Sequence, residues 1–368
     1  MCEKRLKISI MLWSAILVLA LVVTAACAPA AAPTPTTAPK PAIPKSEAPK
    51  TEATKAPAPV ATPAPKPAAA TPAPAAQKPE VSQIKTAVML IENAGTIYAA
   101  DKLGFFKDEG LTIDNRIVES GGENLVVAGQ VQFSYTNTPS IIQARSQGFD
   151  VVIVTANAAV TTPQPPASGL YVKADSPIKT AKDLEGKRIG MVRIRTLAWL
   201  TARGWLKDNG VDVEKTVWRE IPFPQMGDAI VNGMVDAGYM VEPFITIWRA
   251  QEKLRFVANV DYEFQGGMDI SPYVASEKWV KQNPVTTRAF ARAVGRAMDA
   301  LNKDRSLRNR FAVEFAKANP DLVDKLGLMT LRTKVDAKAL QKTADLMLEH
   351  GLLDKKFDVS PMIWETAK

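Results

Sequence analysis

Val126-Val-Ala-Gly-Gln-Val-Gln-Phe-Ser-Tyr135 lies without a gap over Ile230-Val-Asn-Gly-Met-Val-Asp-Ala-Gly-Tyr239, an offset of 104 residues (126 to 230). Gly129 falls on Gly233, Val131 on Val235, Tyr135 on Tyr239 and Pro139 on Pro243. Each copy reads as the end of an amphipathic helix, a Gly where the helix stops, a short apolar strand, and a Tyr-bearing loop closed by Pro. A helix–strand–loop unit occurring twice predicts two similar α/β lobes. In open α/β sheets, ligands bind beyond the carboxyl ends of strands. Two lobes would therefore aim two such loops at a shared cleft.

The segments around the copies extend the pattern. Ile84–Leu90 reads as a strand, Glu92–Tyr98 as a polar loop, and Ala99–Leu103 as a short helix stopped by Gly104, before a second strand over Leu111–Glu119. This is β–α–β, the mark of a parallel sheet. Asp150–Thr155 is a further apolar strand. Between the copies, Thr180 opens a short helix with Asp183 at the capping-box position, and Lys187–Val192 is a strand. The loop Arg193-Ile-Arg195 then feeds a helix over Thr196–Asn209, and strands follow over Val211–Glu220 and Phe256–Val260.

The first 80 residues are of a different kind. Lys4, Arg5 and Lys7 precede an apolar run from Ile8 to Val23, and Thr24-Ala25-Ala26 precede Cys27. Residues 1–26 are read as a targeting segment, too short and too early for a retained span. Small residues before a Cys resemble a bacterial lipobox, which would make Cys27 a lipidated N-terminus. Thr24 stands where Leu, Val or Ile is usual, and an ordinary secretory signal or uncleaved anchor is the alternative. Cys2 and Cys27 are the chain's two cysteines, so the mature protein would hold no internal disulfide, Cys-based metal site or catalytic thiol. From Ala28 to about Glu80, Pro, Ala, Thr and Lys dominate, a composition that cannot bury a core and predicts a disordered tether over 27–80.

That tether also carries much of the charge. Residues 1–83 hold nine Lys and Arg against four Glu, a surplus of +5 within the chain's +8. The body is left with an ordinary balance and no nucleic-acid footprint.

Two segments carry a resemblance. Tyr98-Ala-Ala-Asp-Lys-Leu-Gly-Phe-Phe-Lys-Asp-Glu-Gly-Leu111 is similar to the A-x-x-x-G-F-F-x-x-E-G-L signature of periplasmic solute-binding proteins of the sulfonate, nitrate and thiamine-precursor type (the SsuA/NMT1-like group). Asp175–Gly190 resembles that group's S-P-I-x-S-x-x-D-L-x-G-K-x-V segment, and the paired units fall where the group places them. The resemblance covers nearly the whole body. It implies an α/β, type II periplasmic binding protein fold: two lobes, each a mostly parallel sheet flanked by helices, with the ligand cleft between them. Lobe 1 would be 84–172 plus 270–368, and lobe 2 would be 173–269.

The candidate ligand residues are loop tips. In lobe 1 they are Asn93, Thr96 and Tyr98, then Tyr135, Thr136 and Asn137. In lobe 2 they are Arg193, Arg195 and Thr196, then Tyr239 and Glu242, on the loop that lines the cleft in this group. Tyr offers an aromatic wall with a hydroxyl at its edge, and an Arg loop at a helix N-terminus suits an anion. The group usually has small Gly-Ser/Thr residues there, so Arg193 and Arg195 depart from it. Both arginines could instead face solvent or surface acids, Glu242 could form a salt bridge, and the polar loop residues could be turn chemistry.

Nothing in the sequence points to catalysis. His350 is the one histidine, read as a surface or helix-capping residue, and no metal-ligand spacing, nucleophile elbow or phosphate loop occurs. Related eukaryotic thiamine-pyrimidine synthases share the implied fold, but their Cys-rich signature is missing here. The implied function is a monomeric, lipid-anchored, extracytoplasmic receptor without cofactor or metal. It would close on a small solute, anionic if the Arg loop faces the cleft, and deliver it to an ABC permease and its ATPase. A pyrimidine-precursor receptor, a sensor domain without a transporter, and a stalked surface protein are the competing readings.

Overall fold

The computed structural model describes residues 77–163 and 166–368. The expected targeting segment, Cys27 and most of the expected tether lie outside the described residues. The tether's expected end does not: Glu80 accepts hydrogen bonds from the Val285 and Thr286 amides (3.0 and 2.8 Å) at the start of the helix Pro284–Lys303. Burial opposes its charge, but these bonds and that of the Thr286 hydroxyl outweigh it and hold its pKa below the usual value.

Among the described residues, eleven strands form two sheets. In chain order they are β1 (Gln83–Val88), β2 (Thr112–Ile117), β3 (Phe133–Tyr135), β4 (Val152–Ala159), β5 (Ser168–Lys173), β6 (Arg188–Met191), β7 (Val217–Glu220), β8 (Ala237–Val241), β9 (Leu254–Ala258), β10 (Asp269–Ala275) and β11 (Thr330–Leu331). The first sheet runs β11-β4-β10-β3-β1-β2 and the second β7-β6-β8-β5-β9. Leaving out β11, the two orders are the same, with β10 and β5 as the antiparallel strands.

The repeat read from the sequence sits at the centre of both sheets. Phe133 and Ser134 lie beside Thr86 and Ala87 of β1, just as Ala237 and Gly238 lie beside Ile189 and Gly190 of β6. The offset between these central strands is the 104 residues separating Phe133 from Ala237. Both tyrosines belong to the strands rather than to loops: β3 ends on Tyr135, while β8 runs two residues past Tyr239. Pro139 and Pro243 each start a helix, Thr138–Ser146 and Phe244–Ala250.

These central strands are short and wholly buried, as expected where helices cover both faces of a parallel ladder. One hydrophobic cluster runs through both lobes, from Val88 and Phe133 to Leu197 and Tyr239. The C-terminal helices pack on the first lobe, where Ile363 bridges Ile153 of β4.

The chain changes sheets between β4 and β5, and again between β9 and β10. Since β5 is paired in the second sheet along its length, the first change precedes the boundary expected at 172. The entry and exit points are close: Asp269 lies opposite Ala159 across the β10–β4 ladder, and Leu170 opposite Ala258 across β5–β9. The return crossing carries a helix, Val260–Gln265, that the sequence pattern did not predict. The predicted strand Val211–Glu220 is a 3-10 turn over Val213–Lys215 followed by β7.

Candidate functional site

Between the lobes lies a cleft that is partly open to solvent. Its walls are largely apolar, with Met89, Ile91, Val192, Leu197, Phe223 and Met329 among them. The polar groups come from strand ends and helix starts, as the topology requires.

Two glycines set the first-lobe wall. A Cβ on Gly122 would lie 2.2 Å from Ser134 Oγ, so only glycine lets the helix Gly122–Val127 start this close to β3. Gly121 takes a left-handed conformation, φ 71°, that suits glycine. Beside it, Glu123 is buried and accepts the Thr136 hydroxyl at 2.7 Å.

Eight of the predicted residues line the cleft. Tyr135 donates to Asn93 Oδ1 (3.2 Å), while among the described residues Asn93 Nδ2 meets only the Met329 sulfur (3.4 Å). Asn137 caps the helix Thr138–Ser146 by accepting the Ser140 amide (3.0 Å). Thr136 and Thr196 are buried at the rim, and the Thr196 hydroxyl donates to Arg193 O (2.8 Å). Tyr239 donates to Asp261 Oδ2 (2.5 Å). Burial raises the pKa of both tyrosines, and for Tyr239 the adjacent Asp261 adds to it.

Arg193 is the seventh. It belongs to lobe 2, but its Nη1 reaches Glu123 Oε1 of lobe 1 at 3.5 Å. Glu242 is the eighth: it is buried, and its oxygens accept from Thr246 N (3.1 Å), Thr246 Oγ1 (2.7 Å) and, from lobe 1, Gly327 N (3.1 Å). Burial pushes its carboxyl up to about 7, against the hydrogen bonds, which favour the charge. The Glu92 amide also donates to Glu242 O at 3.3 Å. The lobes are thus in contact across the cleft.

Two of the predicted residues lie elsewhere and one lies underneath. Tyr98 packs against Phe311 and Phe315 and leans on Glu314, away from the cleft. Two residues along a helix turn a side chain about 200°, so Tyr98 and Thr96 face opposite ways. Thr96 is buried below the cleft floor, bonded to Asn157 (2.7 Å) and Tyr273 (2.8 Å). Asn157 in turn donates to Asn93 O (2.8 Å), so Thr96 positions the site rather than lining it. Arg195, at φ 62°, turns outward to Gly351 O (3.2 Å), and its own carbonyl accepts from Gln143 (2.7 Å). It fastens one lobe to the other. His350 is not a surface residue: it is buried edge-on against Phe264 of the other lobe.

The sequence reading missed four carboxylates' worth of supporting chemistry apart from Glu242. Glu123 stands behind a Gly-Gly pair that gives no sign of its role. Glu92 reads as a loop residue, yet it forms a buried ion pair with Arg308 (2.6 Å), 216 positions away. Asp261 is fully buried under three hydroxyls, from Ser168, Thr201 and Tyr239. Burial raises its pKa despite those bonds. Asp269, at the start of β10, pairs with Arg332 (2.7 Å). None of these contacts is local, so no short motif announces them.

A family model described as NMT1/THI5 like matches residues 92–305. The chain belongs to that family. The putative aliphatic sulfonates-binding protein of Escherichia coli is 26% identical over 252 residues, covering 65% of this chain and 75% of the relative. A 4-amino-5-hydroxymethyl-2-methylpyrimidine phosphate synthase of Saccharomyces cerevisiae is 23% identical over 233 residues, covering 56% and 63%. Among solved structures, the alkanesulfonate-binding protein SsuA of Xanthomonas axonopodis aligns with a TM-score of 0.67 at 18% identity, over 77% of this chain and 99% of that one. The nitrate-binding protein NrtA of Synechocystis aligns at 0.66 and 15%, over 78% and 87%. The fold is that of the periplasmic binding proteins.

Proposed function

We propose that this NMT1/THI5-like chain is a lipid-anchored, extracytoplasmic receptor that closes its lobes on a small organic oxyanion, a sulfonate or carboxylate, and delivers it to an ABC permease. One observation carries the choice of ligand: the acidic groups in and around the cleft already have protein partners, whereas donors are left over. Glu92 is held by Arg308, Glu123 by Thr136 and Arg193, and Asp261 by three hydroxyls. Asn93 Nδ2 has only a sulfur partner, and Arg193 uses one nitrogen on Glu123. The first-turn amides at Gly122 and Leu197 add a positive helix end on either side. The apolar walls suit the organic body of the solute. Binding through both lobes would favour the closed form, the usual basis of hinge closure.

The E. coli and Xanthomonas relatives, named for sulfonate binding, support this reading. The Phe223–Tyr239 pair, 6.4 Å between ring centroids, favours a second one: a flat heterocycle such as a pyrimidine, the class in the yeast relatives' name. A thermal-shift screen separates them. A solute at 100 times its Kd adds about 2.7 kcal/mol, which should raise the midpoint by roughly 5 °C. Shifts with alkanesulfonates or carboxylates are expected; shifts with neutral pyrimidines alone would overturn the oxyanion reading. Mass spectrometry of the mature N-terminus tests the anchor, with a diacylglyceryl group on Cys27 expected. Stimulation of a reconstituted permease–ATPase by loaded receptor tests delivery, and would separate import from a sensor role.

A further inference from the structure

We propose that Glu242 takes up a proton when the lobes close, so that an oxyanion enters the cleft together with a proton. This rests on the oxyanion reading above. The geometry has three parts. Glu242 lines the cleft and is 3% exposed, yet among the described residues no Lys or Arg comes within ion-pair distance of it. Its burial is completed by the opposite lobe: Gly327 N reaches Oε1 (3.1 Å), and Glu92 N reaches its carbonyl (3.3 Å). Oε1 has two donors but Oε2 has one, the Thr246 amide (3.1 Å), so Oε2 keeps an acceptor position that a proton can occupy.

The surrounding charges act in the same direction. Glu92, from the first-lobe turn, opposes a second negative charge, and Arg308 is engaged with Glu92 rather than with Glu242. Arg305, on the same helix, feels Glu242 but bonds the carbonyls of Val323, Asp324 and Leu326. Burial discourages the ionisation of Tyr171 in β5, the charge of Glu242 adds to that, and Arg249 acts the other way.

With the lobes apart, water would reach Glu242 and its carboxyl would return toward the ordinary range near 4.3. In the closed form burial holds it at about 7. The closed state therefore binds more protons than the open state between these values. Closure, and with it capture, is favoured by acid and weakens as pH rises, by close to tenfold per unit between about pH 5 and pH 7, and levels off above that. A protonated Glu242 also removes a negative charge from the wall that an oxyanion approaches.

The experiment is calorimetric titration of the full-length receptor with pentane-1-sulfonate, whose charge is fixed, from pH 5.5 to 8.5 in buffers of contrasting ionisation enthalpy. Wild type should take up protons, and its Kd should rise about sevenfold between pH 5.5 and 6.5 but only about twofold between pH 7 and 8. Glu242→Gln should lose both the uptake and the slope. Binding without proton exchange, or an unchanged slope in Glu242→Gln, overturns the proposal. If pentane-1-sulfonate binds neither protein, the oxyanion reading has failed, and the proton is tested without ligand. The stability of wild type relative to Glu242→Gln should then fall between pH 5 and pH 8, because a raised carboxyl stabilises the fold only while protonated. A pH-independent difference would overturn it.

Discussion

The two copies of the central strand share a backbone and differ in what their side chains meet. In the first, Tyr135 donates to the neutral Asn93, and the next residues, Thr136 and Asn137, are uncharged. In the second, Tyr239 donates to the buried acid Asp261, and three residues later Glu242 enters the cleft wall. A repeated unit thus supplies position, a strand end aimed at the cleft, while the chemistry at each end was set separately. At these two strand ends, lobe 1 offers an amide and hydroxyls, and lobe 2 offers a carboxylate.

If that division is right, the second copy should tolerate change least. Asp261→Ala would strand three buried hydroxyls and cost roughly 3 kcal/mol, whereas Asn93→Ala would cost roughly 1 kcal/mol. Urea unfolding of the two variants would show it, and equal losses would erase the contrast. Next in size is Gly122→Ala. The added methyl meets Ser134 Oγ at 2.2 Å, so roughly 2 kcal/mol should be lost through overpacking, with solute binding weakened as the helix start is pushed outward.

The neighbouring arginines sharpen the comparison on the lobe 2 side. Arg193→Ala should weaken oxyanion binding about tenfold or more, the scale of a lost charge-assisted hydrogen bond. Arg195→Ala, which loosens an inter-lobe fastening, should change Kd by about threefold or less. Titration calorimetry reads both, and equal effects would return Arg195 to the site. The smallest effect concerns Glu80. Its depressed carboxyl stabilises the fold above its unfolded pKa and loses that contribution as pH falls through the folded value. Glu80→Ala should therefore cost at most about 1 kcal/mol at pH 7, with the difference vanishing in acid denaturation curves near pH 3.

How much of this could be read beforehand depends on range. The repeat, the strands and the Arg-loop helix are local patterns, and the helix expected over Thr196–Asn209 is found at Leu197–Asp208. The fate of side chains was less legible. Arg193 and Arg195 sit in one loop, but the left-handed backbone at Arg195 sends the second guanidinium outward, and no propensity announces that. Tyr98 carries the family signature yet serves helix packing, because the turn of the helix places it opposite Thr96. Asn157, Glu123 and Asp261 gain their roles only from partners brought from tens to hundreds of positions away.

The crossing points have a consequence for engineering. Ala159 and Asp269 are ladder neighbours, so the whole of 160–268 leaves and re-enters the first sheet through one doorway. It is a cassette. A two-residue Asn-Gly turn could splice β4 directly to β10 as a hairpin, giving a miniature of the first lobe. The same doorway would accept the equivalent segment of a relative, grafting one half of a cleft onto another without disturbing the host sheet.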